Sequence, residues 1–258
     1  MTADAFIPEP RAGQIARAAA VLRAGGLVAF PTETVYGLGA AAAQPAAVQK
    51  IFAAKGRPAD HPLIVHVAGP AELDAWARAV PPAARALAQA FWPGPLTLVL
   101  ARSRLAHDLL TGAQDSVGLR CPSHPWARAL LAAFGGAIAA PSANRFGRIS
   151  PTTAAHVRAD LGEKPDGKVD LILDGGACPI GIESTIVDCR GEVPVLLRPG
   201  SITRDALQAV LGAPVRDAGA DAPRASGRLE SHYAPRTPLE LVAPAALAAR
   251  INALRGQR

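Results

Sequence analysis

Gln14-Ile-Ala-Arg-Ala-Ala-Ala-Val-Leu-Arg-Ala-Gly-Gly-Leu-Val-Ala-Phe30 sets a helix, a stop and a strand in one run. Ile15, Ala18, Ala19 and Leu22 recur at helical spacing, Gly25-Gly26 ends the pattern, and Leu27 to Phe30 reads as a short buried strand. Pro45 to Ala54 repeats the unit. Pro45 stands near the first helical position, Val48, Ile51 and Phe52 share a face, Gly56 lies just past the end, and Leu63 to Val67 follows as a second strand. Further strands are predicted at Leu96 to Leu100, Val117 to Arg120, Ala137 to Ala140, Leu171 to Leu173, Thr185 to Asp188 and Val193 to Leu197. Helices are predicted at Pro82 to Phe91, Pro125 to Phe134, Thr153 to Leu161 and Thr203 to Leu211. The class is α/β, and because several strands follow one another without a helix, the expected sheet is mixed and twisted rather than purely parallel.

The chain has 258 residues, 50% hydrophobic and 19% charged, enough to bury a core and too apolar for a disordered polymer. The expected organisation is a catalytic domain over 1–212, a wrapping arm rich in Ala, Gly, Pro and Arg over 213–238, and a short C-terminal remnant over 239–258. Cys121, Cys178 and Cys189 form no C-x-x-C pair, which points away from a disulfide framework and a structural zinc site. Met1 to Arg11 lacks a basic segment followed by an apolar one, and no apolar run reaches membrane-spanning length, so a cytoplasmic protein with no membrane partner is expected. A net charge of +6 favours anionic ligands, although arginine spread over solvated faces explains it equally well.

Three strand ends open into clusters of small and polar residues: Phe30-Pro-Thr-Glu-Thr-Val-Tyr-Gly-Leu-Gly39, Ala140-Pro-Ser-Ala-Asn144 and Gly181-Ile-Glu-Ser-Thr-Ile-Val-Asp188. Such loops are where α/β proteins place ligands. Gly37 and Gly39 would let backbone approach a ligand, with hydroxyls from Thr32, Thr34 and Tyr36, or else the segment is only a hydrogen-bonded turn. Lys55 and Arg57 stand two apart on a glycine-proline turn, a pair suited to phosphate oxygens or, alternatively, to the dipole of the preceding helix. No Walker A motif, G-x-G-x-x-G, H-E-x-x-H or G-x-S-x-G occurs, so a P-loop, a zinc protease and a serine hydrolase are disfavoured.

Lys55-x-Arg57 following Pro-Thr-Glu-Thr-Val-Tyr-Gly-Leu-Gly, with Trp92-Pro-Gly-Pro-Leu-Thr97, Ala140-Pro-Ser-Ala-Asn144, Glu183-Ser-Thr-Ile-Val-Asp188 and Leu197-Arg-Pro-Gly200, resembles the YrdC-like threonylcarbamoyl-AMP synthase family. The resemblance implies a twisted mixed sheet with surrounding helices and a large concave basic cavity. It implies condensation of L-threonine, bicarbonate or CO2, and ATP carrying Mg2+, with release of pyrophosphate. The product would feed a tRNA threonylcarbamoyl-transfer complex, with weak tRNA binding alongside.

By the same resemblance, Lys55 and Arg57 would be the catalytic pair on the triphosphate. Further ATP contacts would come from His61, Ser116, Ser142, Asn144, Ser150 and Arg198, and Tyr233 of Ser231-His-Tyr-Ala-Pro235 would cover the nucleotide. Thr34, His66, Arg120, Ser184 and the Ala140 backbone would hold L-threonine. His61 departs from the asparagine most expected there, and the C-terminal domain of longer members is expected to be missing or reduced. The rival reading is a non-catalytic RNA-binding or regulatory module using the same cavity, against which stands an aromatic content of only 4%.

Overall fold

The computed structural model describes residues 7–219, 222–226, 234–235, 237 and 239–255. The helices are α1 (Ala12–Arg23), α2 (Pro45–Lys55), α3 (Leu73–Trp76), α4 (Pro82–Phe91), α5 (Asp108–Thr111), α6 (Pro125–Phe134), α7 (Ala154–Asp160), α8 (Arg204–Leu211) and α9 (Leu247–Arg255). The strands are β1 (Val28–Phe30), β2 (Gly37–Ala41), β3 (Ile64–His66), β4 (Leu96–Ala101), β5 (Ser116–Arg120), β6 (Ile138–Ala139), β7 (Leu171–Ile172), β8 (Thr185–Asp188), β9 (Val195–Arg198) and β10 (Arg216–Asp217). They form one 10-stranded sheet in the order β10-β9-β8-β4-β5-β3-β6-β2-β1-β7. Parallel pairs such as β3 with β5 and β4 with β8 mix with antiparallel ones such as β4 with β5 and β3 with β6, as expected for a mixed sheet. No helix among the described residues is long and apolar enough to cross a membrane.

Local chemistry explains the helix ends. Pro45 sits in the first turn of α2, where its missing N–H costs nothing, and Gly56 closes the helix in the left-handed region at φ 63°. Pro125 and Gly135 do the same for α6, whose first turn is also capped by the His124 ring accepting from the Trp126 N–H.

Because successive strand residues point to opposite faces, β1 divides its side chains between two cores. Ala29 joins α2 and α4 on one face, while Val28 and Phe30 join α1 and α6 on the other. A third small cluster, Val99, Ile186 and Leu197, is covered by Ala218, Ala222 and Ala225 of the arm. The registers align Arg198, Ile186, Thr97, Arg120, His66 and Ile138 in one row across β9, β8, β4, β5, β3 and β6. At one end of this row Ile138 lies under α1 and α6, and toward the other Ile186 lies under the arm. Between them stand the buried polar residues Thr97, Arg120 and His66, of which Arg120 and His66 line a cleft.

Two expectations are corrected here. The segment containing Gly37 and Gly39 is strand β2, paired with β1 and β6, rather than a loop, although Gly37 at its first position lines the same cleft. A Cβ on Gly39 would lie 2.8 Å from both Ile138 Cγ2 and Phe30 Cε1, so the glycine is demanded by sheet packing. Gly39→Ala is expected to cost about 1–3 kcal/mol by overpacking, a fall of roughly 3–10 °C in Tm for a chain of this size; an unchanged melting curve would remove the packing explanation. Likewise Tyr36 offers no hydroxyl to a ligand. It is fully buried in the core, donates to the Gly176 carbonyl at 2.7 Å, and its phenol is pushed upward mainly by burial.

Candidate active site

The polar stretch of the row floors this cleft, which is lined by Thr34, Arg57, His66, Arg120, Ala140, Ser142, Ser184 and Arg198, with Thr32, Glu183 and Ser226 beside them. Six side chains come from strand ends or the turns just beyond them, where the sheet holds the backbone rigid while the side chain projects past it. Thr34 and Thr32 share a hydroxyl hydrogen bond of 2.9 Å, and Thr32 Oγ1 also donates to the Val35 carbonyl at 2.7 Å, tying the turn after β1 into one conformation.

Lys55, only 3% exposed, does not cap its own helix. Its ammonium crosses to the loop after β6 and donates to the carbonyls of Ser142, at 2.5 Å, and Asn144. Burial first, and then the Arg57 cation, push it down to about 7. Arg57 donates to Pro62 O and Ser226 Oγ, each at 3.0 Å, and its guanidinium lies 5.6 Å from the Phe146 ring centroid. His61 meets Phe146 edge-on at 5.1 Å, outside the lining of the central cleft. His66 is fully buried with Nδ1 unpartnered, and burial followed by the Arg120 charge drives it down to about 3, so the ring is neutral.

A polar chain runs along the far wall. Ser150 Oγ donates to Glu183 at 2.7 Å, Glu183 pairs with Arg198, and Arg198 reaches the Ser184 carbonyl at 3.0 Å and the Ser184 hydroxyl at 3.1 Å. Ser184 Oγ in turn lies 2.8 Å from Thr97 Oγ1. The Ala140 N–H is engaged by Ile64 O at 2.9 Å, so of its backbone only the carbonyl remains to face a ligand.

Five expected residues do not line the central cleft: Lys55, His61, Ser116, Asn144 and Ser150. Ser116 lines an adjoining cleft beneath the arm with Gln114 and Arg224, and Asn144 lines another with Ser150, Arg148 and Ala234. Tyr233 falls outside the described residues. The arm itself straps the mouth: Arg224 and Gln114 exchange two hydrogen bonds of 2.7 and 3.2 Å, while Ser226 accepts from Arg57 at its hydroxyl and, at 2.9 Å, from Arg198 at its carbonyl. Thr97, Glu33 and Ser226 escaped the reading of the sequence as site residues. For Thr97 the signal was a polar residue inside an otherwise apolar strand.

Fold and cleft together define the class: a mixed-sheet α/β protein with a buried, arginine-bearing small-molecule site. The chain belongs to the Sua5/YciO/YrdC family, whose model, described as "Telomere recombination", matches residues 20–200. A second model, "Threonylcarbamoyl-AMP synthase, C-terminal domain", matches residues 202–257, which corrects the expectation that this domain is missing or reduced. The threonylcarbamoyl-AMP synthase of Bacillus subtilis is 47% identical over 233 residues, covering 88% of this chain and 66% of its own length. That of Pyrococcus abyssi is also 47% identical, over 84% of this chain and 64% of its own. This chain thus spans just under two thirds of these relatives. The crystal structure of P. abyssi Sua5 complexed with L-threonine superposes with a TM-score of 0.90 at 42% identity, over 97% of this chain and 74% of that one.

Proposed function

We propose that the chain forms L-threonylcarbamoyladenylate and pyrophosphate from L-threonine, CO2 or bicarbonate, and ATP. The observation that carries this reading is the convergence of Arg57, Arg120 and Arg198 on one cleft, with Lys55 buried behind it. One cation set suits a carboxylate and another a triphosphate. Arg120 would receive the threonine carboxylate, with Thr34, neutral His66, Ser184 and the Ala140 carbonyl around the amine and hydroxyl. Lys55 and Arg57 would neutralise the β- and γ-phosphates, and Ser142, Ser150, Arg198 and Asn144 would hold the nucleotide. Assignments to His61, Ser116 and Tyr233 rest on the resemblance alone.

The threonine amine attacks the carbon of CO2 and loses a proton, giving a carbamate. A carbamate oxygen then attacks the α-phosphorus, and the bond to the bridging oxygen breaks as pyrophosphate leaves. This needs positioning and charge neutralisation rather than a protein nucleophile. Among the described residues no cluster of three or more His, Cys, Asp or Glu could hold a metal ion. Magnesium would arrive with the triphosphate as part of the substrate, where it would screen charge.

The test is pyrophosphate release from ATP by the purified protein, with L-threonine and bicarbonate omitted in turn and the product mass measured. Release that requires both, with a threonylcarbamoyl-adenylate mass, is the expected result. Indifference to threonine together with salt-sensitive RNA binding would replace this reading by the binding-module one.

A further inference from the structure

Behind the cleft, Arg120 is paired with a buried glutamate, Glu33, to which the proposed reaction gives no role. Glu33 Oε1 accepts from Arg120 Nη2 at 2.6 Å, and the two side chains are only 7% and 5% exposed. The second oxygen, Oε2, accepts from the Ser123 N–H at 3.0 Å. Glu33 is therefore gripped at both oxygens, and its main chain is fixed as well, its carbonyl accepting from the Ile180 N–H at 3.0 Å. Burial alone would raise its carboxyl, but the Arg120 charge and hydrogen bonds hold it below the ordinary carboxylate range, so it stays ionised.

The geometry is one-sided. Arg120 lines the cleft and Glu33 does not. Of the guanidinium nitrogens only Nη2 is bonded among the described residues, and Nε is buried without a partner. We propose that Glu33 is a positioning residue: its bond to Nη2 clamps Arg120 from behind and fixes how the rest of the guanidinium is presented to the carboxylate of the amino-acid substrate. The inference rests on the threonine reading given above.

Two effects of Glu33 oppose each other. Its charge weakens the attraction of Arg120 for a carboxylate, while its hydrogen bond removes the rotamer freedom of a long side chain before the substrate arrives. In a cleft that also holds Arg57 and Arg198, positive potential is plentiful and orientation is scarce, so the second effect governs.

Glu33→Gln keeps the shape but leaves one acceptor oxygen for two donors, Arg120 Nη2 and the Ser123 N–H, so the two-point grip is lost. It is expected to raise KM for L-threonine at least tenfold, with KM for ATP within twofold and kcat at saturating threonine within threefold. Glu33→Asp keeps the charge one methylene short and is expected to fall between, which supplies the measurement should the glutamine variant fail to fold. A merely structural glutamate would move both KM values together or neither. Either outcome, in a protein whose wild type needs threonine, overturns the role of Glu33 alone. A wild type that releases pyrophosphate without threonine overturns the synthase reading and this inference with it.

Discussion

Replacing Lys55 by alanine is expected to lower pyrophosphate release by roughly 10²- to 10³-fold, the range seen when one donor aimed at developing charge is removed. The fold should survive. Among the described residues the buried ammonium donates to the Ser142 and Asn144 carbonyls, and burial already disfavours its charge. The change therefore exchanges two lost hydrogen bonds for a relieved desolvation, and Tm should move little. Turnover near the wild-type level in a folded Lys55→Ala protein would remove this residue from the triphosphate.

The same residue sets a pH signature. With the free protein titrating at about 7, Lys55 is charged below that pH and loses its charge as pH rises through it. A triphosphate prefers the charged form, so KM for ATP is expected to rise between pH 6.5 and 8.5. Lys55→Arg, which stays charged throughout, should flatten that rise. A profile equally steep in the arginine variant would assign the titration to another group.

How much of this was legible in the sequence depends on what decides each element. α4 and α6 span the residues expected of them, Pro82–Phe91 and Pro125–Phe134, because their apolar spacing and terminal prolines are local signals. β2 escaped because Gly-Leu-Gly-Ala-Ala has almost no β-propensity; its strand state is imposed by pairing with β1 and β6 and by the close approach of Phe30 and Ile138. Within the site, Lys55 and Arg57 stood out as a local pair, but the target of Lys55 is a loop 87 residues away at Ser142. Glu33 and Arg120 are also 87 residues apart in sequence, and their pairing depends on the turn after β1 folding over the end of β5. Spacing within a motif cannot express such a contact, whereas sheet register can.

The second large effect concerns the other buried pair. Arg198 and Glu183 are 7% and 13% exposed at the side chain, and Arg198 also donates to the Ser184 carbonyl and hydroxyl and the Ser226 carbonyl. Arg198→Ala removes the cation from a largely buried carboxylate, which keeps the Ser150 hydroxyl, and is expected to cost about 3–5 kcal/mol. At about 2–4 °C per kcal/mol, Tm should fall by roughly 6–20 °C, measured calorimetrically. Activity should fall as well, since the arginine faces the proposed nucleotide. These two losses can be separated. Removing both charges at once, with Arg198→Met and Glu183→Leu, replaces the pair by apolar groups of comparable volume, a change often neutral for stability. The double variant should regain more than half of the lost Tm yet remain inactive, because the Ser150 and Ser184 partners are then released and the Arg198 cation no longer faces the proposed nucleotide. If instead the double variant melts as low as Arg198→Ala, the stability loss comes from the severed Ser184 and Ser226 contacts rather than from the stranded charge. If it recovers activity along with Tm, Arg198 is a scaffold residue, and the nucleotide is left to Arg57 in the cleft, with Lys55 buried behind it.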